Sequence, residues 1–132
     1  KVFAEFGRAD VRAPLMAGHT YPADARELTA ALDGYFAKPR GPGKPAKQDG
    51  ARPRALIVPH IDFGRGGPAY AWAYLPLAAS ADDPPELVVI LGTDHVGGEQ
   101  PYALTRKHFD TPLGRVETDA ATVLAVADRT SV

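Results

Sequence analysis

The sequence predicts an α/β domain in which helices flank a central, mostly parallel sheet. Two short apolar runs, residues 55–60 (ALIVPH) and 87–95 (LVVILGTDH), end in a histidine and have the composition of fully buried strands. Between them, residues 67–75 have the length and composition of a crossover helix. A βαβ unit makes its two strands parallel, so both histidines would reach the edge of the sheet where such folds bind ligands.

The composition indicates one globular domain over residues 1–132, because this length allows one sizeable core and not comfortably two. The formal net charge of -1 argues against a nucleic-acid or anionic-membrane partner. No apolar run is long enough to span a bilayer. The chain has no cysteine, which excludes disulfides and thiolate metal ligands within it. We expect a cytoplasmic location.

Before the first apolar run, the pattern predicts a short edge strand within residues 11–14 and then a helix. Asp24 caps this helix and Glu27 completes a capping box, while Pro39 ends it. Its apolar face consists of residues at helical spacing: Leu28, Leu32, Tyr35 and Phe36.

Residues 38–53 are rich in glycine, proline and lysine and predict a mobile surface loop. Its basic side chains could attract an anionic partner, although a solvated loop is the favoured interpretation.

The glycines at 64, 66 and 67 surround Arg65 and suggest a phosphate loop, but neither the GxGxxG nor the Walker pattern is present. We expect them to let the backbone pass close to the site. Pro68 should occupy the first position of the crossover helix, and Pro76 should end or kink it.

The last third of the chain predicts a third strand at residues 102–105 and a hairpin within 109–116. Thr118 or Asp119 then caps a final helix with Val123, Leu124 and Ala127 on its apolar face. The chain begins with lysine and stops just after this helical pattern without a capping signal, which predicts a fragment of a longer domain.

The histidines that end the two runs, His60 and His95, are candidate metal ligands. Imidazole suits iron, copper, zinc and nickel, and a catalytic non-haem iron usually adds one carboxylate to two histidines. Asp62, Asp94 and Glu99 are near enough in sequence to supply it, and Asp94 could instead orient a ligand or contact substrate.

A structural role is the alternative for these histidines, since a histidine after a buried strand often only holds a loop through a hydrogen bond. His19 could reach the pocket from its turn, although a surface role is favoured, and His108 is expected to be an exposed loop residue. Arg65 and Arg115 could bind an anionic substrate, although surface ion pairs are the commoner outcome.

Five blocks, in the order in which the family has them, resemble the Memo family. They span residues 17–119 and comprise residues 17–24 (AG-x-x-YP), 56–60 (ending Pro-His), 67–71 (Gly-x-x-Ala), 89–95 (ILG-x-x-H) and 111–119 (TPLG-x-V-x-x-D).

This resemblance, which extends to protein B of the AmmeMemoRadiSam system, implies the fold of class III extradiol dioxygenases of the LigB type. That fold has a central sheet flanked by helices and a metal pocket at one edge, where the matched His60 and His95 would bind metal. Bacterial members often accompany an AMMECR-type protein and a radical SAM protein, and the animal relative is linked to redox signalling and phosphotyrosine-peptide recognition. Family members are much longer, so this chain would be the N-terminal half and another metal ligand would come from the second half.

The sequence departs from the family pattern beside both histidines. The usual Ala-Gly-Tyr after Pro-His is Ile61-Asp62-Phe63, and the usual Gly-Pro-Ser-His is Gly92-Thr93-Asp94-His95. Each change adds a carboxylate, so Asp62 and Asp94 are candidate catalytic residues that could alter metal preference or substrate.

The function that these features together predict is a dioxygenase-like oxidoreductase with a divalent metal, iron(II) first and copper or zinc as alternatives. Its substrate would be a small molecule or a peptide. Two other functions stay open, a non-catalytic module that binds a peptide or an anion and a metal-assisted hydrolase. The expected partner is the C-terminal half of the same protein or a second copy of the chain.

Overall fold

The computed structural model describes residues 6–46, 53–80, 82–95, 97 and 102–130. The chain divides into two compact units, residues 18–93 and residues 1–17 with 94–132. Helices and strands are both present, which confirms a mixed α/β chain. The elements are β1 (Val11–Arg12), α1 (Ala25–Phe36), α2 (Phe63–Ala78), β2 (His108–Thr111), β3 (Gly114–Val116) and α3 (Ala120–Ala127). No helix in these described parts is long and apolar enough to cross a membrane.

Helix α1 begins and ends where its sequence signals predict. The Asp24 carboxylate accepts hydrogen bonds from the backbone N–H groups of Arg26 and Glu27, at 2.9 and 3.0 Å. These amides have no partner within the helix, so the cap satisfies donors that would otherwise be left to water. The helix ends at Phe36, before Pro39, and its apolar face buries Leu28 to 5% exposure.

Helix α2 begins at Phe63, five residues before Pro68, which was the predicted first position. Asp62 caps it by accepting the backbone N–H of Arg65, so the start is set by this carboxylate and Pro68 lies inside the helix. The helix also continues two residues beyond Pro76. The preference of proline for the first helical position therefore predicted the wrong start, because an aspartate cap lay upstream.

The two helices of this unit pack through small residues on α2 and aromatic rings around them. A Cβ added at Gly67 would overlap the ring of Tyr35 on α1, so only glycine allows this close approach. Ala71, one turn further on, is 2% exposed. The Phe63 ring lies 6.3 Å from that of Tyr35 and 6.1 Å from that of Tyr21. The glycine-rich stretch therefore brings the helices together.

The start of the predicted loop at 38–53 is attached to α2. The indole Nε1 of Trp72 donates to the carbonyl of Arg40 at 3.0 Å, and the Lys38 ammonium lies 5.6 Å from the centre of the Trp72 ring. Residues 47–52 of this segment lie outside the described residues, so the mobile loop stays a prediction there.

The second unit contains a three-stranded sheet in the order β1-β2-β3. Strand β1 pairs with β2 in parallel, Val11 opposite His108, and β2 pairs with β3 antiparallel, Asp110 opposite Arg115. The hairpin, the edge strand and the final helix are confirmed. Asp119, one of the two predicted caps, accepts the backbone N–H of Thr122 at the start of α3. Residues 102–105, predicted as a strand, belong to no strand.

The predicted central sheet differs most from the structure. Residues 55–60 and 87–95 belong to no strand among the described residues, and the observed sheet combines one parallel with one antiparallel pair. A strand persists when neighbours bond its backbone groups and cover its apolar faces. The side chains of residues 87–91 are between 48% and 85% exposed, and Ile57 is 98% exposed. Among the described residues, the second run is therefore uncovered, while the first run is covered only in part, at Leu56, Val58 and Pro59.

Candidate metal centre

His60 ends the apolar run at residues 55–60 and lies two residues before Asp62, the cap of α2. Its side chain is exposed, while the backbone beside it is firmly held. The hydroxyl of Tyr70, on α2, donates to the carbonyl of Ile61 at 2.7 Å and accepts the Ile61 N–H at 3.2 Å. One side chain therefore satisfies both backbone polar groups of the residue that follows the histidine.

Asp62 is committed to the helix that it caps. Its carboxylate accepts the backbone N–H of Arg65 at 3.0 Å and forms an ion pair with the Arg65 Nε at 2.5 Å. The hydrogen bond from the Arg65 side chain lowers the pKa of Asp62 below its usual range, and the backbone hydrogen bond acts in the same direction. Asp62 is therefore held as an anion and is a poor proton donor near neutral pH.

His95 and Asp94 lie in the other unit, and both are exposed. The Asp94 carboxylate accepts the backbone N–H of Gly97 at 3.2 Å, which is the short-range turn that aspartate side chains favour. Glu99, the third candidate carboxylate, lies outside the described residues. The metal-ligand role of His60 and His95 and the catalytic role of Asp62 and Asp94 stay predictions.

The donor chemistry suits a divalent metal only in part. Neutral imidazoles bind iron, copper and zinc well, yet a stable site in a protein generally takes at least three protein ligands. Within the described residues, no group of three His, Asp or Glu side chains could hold an ion together. A complete ligand set would therefore have to include a residue from elsewhere.

The other predicted surface residues have structural partners. The prediction of His108 as an exposed loop residue is wrong, because His108 begins β2 and is half-buried. Its Nδ1 accepts the backbone N–H of Thr118 at 3.0 Å, which connects the sheet to the segment before α3. Arg65 pairs with Asp62, and Arg115 pairs with Asp110 at 2.7 Å. The ion-pair interpretation of both arginines is confirmed.

Two shallow depressions lie on unit 18–93, and neither is lined by His60 or Asp62. One, of about 360 Å³, lies on the exposed face of α1. The other, of about 280 Å³, includes two basic side chains and is lined by Gly34, Tyr35, Ala37, Lys38, Pro39, Arg40 and Pro68.

Tyr70 is the residue near the candidate site that sequence reasoning missed. The sequence places it only within the predicted crossover helix at residues 67–75, because its contact with Ile61 joins a helix to a segment outside any periodic pattern. The one available signal was the spacing of nine residues between Ile61 and Tyr70, which carries no general meaning.

The chain is similar to proteins of one family. A family model described as "Memo-like protein" matches residues 12–131. A MEMO1 family protein of Ignicoccus hospitalis is 40% identical over 113 residues, which are 83% of this chain and 39% of that protein. A MEMO1 family protein of Methanopyrus kandleri is 37% identical over 124 residues, 92% of this chain and 43% of that one.

A third relative, from Pyrobaculum arsenaticum, is 36% identical over 112 residues, covering 83% of this chain and 39% of its own. The chain thus spans about two fifths of the length of these curated relatives. No solved structure matched the chain.

Proposed function

Because this chain belongs to the Memo-like family, we propose that it is a metal-binding protein whose His60 and His95 bind one divalent ion. The observation that supports the proposal is that both imidazoles are exposed, each at the end of an apolar run, within the residues matched by the family. Neutral imidazole is a good donor for first-row transition metals.

Iron(II) is the proposed metal, with copper or zinc as alternatives, because two imidazoles and a carboxylate are the usual donors of a catalytic non-haem iron. Such an iron, when bound, would supply oxygen chemistry, so a dioxygenase-like oxidoreductase is the proposed enzyme class. Asp94 is the proposed residue for proton transfer, since the Asp62 carboxylate is already committed to the cap of α2 and to the Arg65 side chain. Asp62 would then act as a hydrogen-bond acceptor for substrate.

The remaining ligand is proposed to come from a region of the family sequence that this chain does not match. The same region would pair with the apolar runs at 55–60 and 87–91 as strands and complete a mostly parallel sheet. A second copy of this chain is the other possible partner.

A second candidate function is a module that binds an anion or an anionic peptide without turnover. The observation that favours it is the depression of about 280 Å³ to which Lys38 and Arg40 contribute. Two cations beside a concave surface attract phosphate or carboxylate groups.

Anaerobic titration with iron(II) separates the two functions. We expect binding in the unaltered protein and its loss in both His60→Ala and His95→Ala, with His19→Ala as the matched exposed control. Oxygen consumption on a catechol would support the oxidoreductase, and cleavage of an ester without oxygen uptake would indicate a hydrolase.

Peptide binding has its own expected signature. Affinity for a phosphotyrosine peptide that survives both histidine changes and is lost in Lys38→Ala with Arg40→Ala would favour the binding module. Iron(II) binding that is unchanged in either histidine variant would reject the proposed metal site.

A further inference from the structure

The residue between His60 and Asp62 is fixed by a side chain from α2. The Tyr70 hydroxyl donates to the Ile61 carbonyl and accepts the Ile61 N–H, at 2.7 and 3.2 Å. This pair of hydrogen bonds restricts the peptide units on both sides of Ile61, and the first of these units joins it to His60. The backbone that carries the imidazole therefore has less freedom than an ordinary loop has.

The ring of Tyr70 is itself held in place. It packs edge-on against Phe63, with ring centres 5.1 Å apart and planes 84° apart, a favourable aromatic geometry. Gly66 leaves the space that the Ile61 side chain needs, because a Cβ there would overlap the Ile61 Cγ2 and approach the Tyr70 ring to 3.3 Å. Ile61, Gly66 and Tyr70 thus fit together as one contact.

The other side of the turn is fixed independently. Asp62 caps α2 through the Arg65 backbone and pairs with the Arg65 side chain. His60 therefore precedes two consecutive residues that are both bonded to the same helix. A ligand whose backbone is ordered beforehand loses less conformational entropy when it binds a metal.

We propose that Tyr70 is a positioning residue for His60, acting through the Ile61 backbone. The inference rests on the proposed function for its purpose, since orientation of His60 matters most if the imidazole binds metal. Residues that orient metal ligands typically change metal affinity by 10- to 100-fold when they are altered.

Tyr70→Phe tests the role, because it removes the hydroxyl and keeps the ring that packs on Phe63. We expect the backbone amide of Ile61 to exchange with solvent about tenfold faster in the metal-free protein, as one hydrogen bond is lost. We also expect about tenfold weaker binding of cobalt(II), followed by its visible absorption. The melting temperature, measured on the same samples, should change little.

Two further variants sharpen the experiment. Tyr74→Phe is the matched control, since it removes a tyrosine hydroxyl from the exposed part of the same helix and should change neither readout. Gly66→Ala keeps the Tyr70 hydroxyl, but its added methyl group would overlap the Ile61 side chain. It should therefore also weaken cobalt(II) binding. It also preserves the test if Tyr70→Phe does not fold.

The outcomes separate this inference from the proposed function. Unchanged Ile61 exchange in Tyr70→Phe, or faster exchange with unchanged cobalt(II) affinity, would overturn the positioning role. If the unaltered protein binds no cobalt(II), the metal function fails on its own. The positioning role is then decided by amide exchange and by NMR relaxation of the His60 ring, which should become more mobile in Tyr70→Phe and not in Tyr74→Phe.

Discussion

The helix pair α1–α2 and the apolar run at residues 87–91 belong to the same unit, yet they differ sharply in how they are packed. The helix pair contains Leu28 and Ala71, the two buried apolar residues of the described chain. The run has five consecutive large apolar residues, and all of them are exposed. Both regions carry large apolar side chains, but among the described residues only the helix pair buries any of them fully.

The difference reflects where each region finds its contacts. A helix satisfies its own backbone groups and needs cover on one face only, which a neighbouring helix provides. A strand needs hydrogen-bonding neighbours, and successive residues of a strand point to opposite faces. Because Leu87, Val88 and Val89 are all apolar, the run needs cover on both faces as well as strand neighbours.

The largest effect on stability is expected from truncation in the helix pair. Leu28→Ala should lower the free energy of unfolding by about 3 kcal/mol, because it removes buried methyl groups and leaves a cavity. Leu91→Ala, the same change at an exposed leucine of the run, should stay within about 0.5 kcal/mol. Urea unfolding followed by circular dichroism measures both, and equal losses would show that the run is packed in solution.

A smaller loss is expected at the close approach of the two helices. Gly67→Ala should cost about 2 kcal/mol, since its methyl group would overlap the ring of Tyr35. Gly34→Ala is the matched control on α1, where an added Cβ meets nothing within 4 Å. It should stabilise the chain by about 0.5 kcal/mol, because alanine is the better helix former. Similar effects of the two changes would contradict the helix packing described above.

The exposed run at residues 87–91 should affect self-association of the chain more than its free energy of unfolding. Ile90→Lys changes a side chain that is 84% exposed, so the free energy of unfolding should move by no more than about 0.5 kcal/mol. A charge within an uncovered β-prone segment opposes edge-to-edge pairing, so self-association should weaken.

Sedimentation over a range of concentrations measures this association. Leu15→Lys, at an exposed leucine outside the run, is the control that should leave the sedimentation profile unchanged. If Ile90→Lys and the unaltered chain sediment equally, the run at residues 87–91 does not contribute to self-association.

The elements that were predictable from sequence are those whose determinants are local. Asp24 and Asp119 cap helices through amides two or three residues away, and the pattern of residue types reveals them directly. The hairpin at β2–β3 likewise depends on a short turn. Asp62 is a cap of the same kind, and it was overlooked because Pro68 offered a competing start signal.

The parts that were not predictable depend on distant partners. The hydrogen bond from Trp72 to the Arg40 carbonyl joins residues that are 32 positions apart in the sequence. No periodic pattern of residue types predicts such a contact. The parallel pair of the sheet joins Val11 to His108, while the two strongest strand patterns belong to no strand in the part of the chain that the structure describes. Strand propensity describes how well a residue fits a sheet, but a strand forms only where neighbouring strands are available to pair with it.

The smallest expected effect concerns two exposed ion pairs, one in each unit. The Arg115 side chain donates to Asp110 and lowers the pKa of that carboxyl, as Arg65 does for Asp62. A carboxyl with a lower pKa in the folded chain binds fewer protons there than in the unfolded chain, so stability rises with pH. The contribution is fully present above the ordinary aspartate pKa of about 3.9 and is lost as the pH falls through the lowered value.

Asp110→Asn should therefore reduce the melting temperature slightly at pH 6, and the difference from the unaltered chain should shrink between pH 4 and pH 2. Added salt should shrink it too, because both partners are exposed to solvent. Asp62→Asn should show the same pH dependence with a larger difference at pH 6, since the Asp62 charge also interacts favourably with the N-terminus of α2, while asparagine keeps the capping hydrogen bond. A difference for Asp110→Asn that stays constant from pH 6 to pH 2 would mean that the charge of Asp110 contributes nothing to the hairpin.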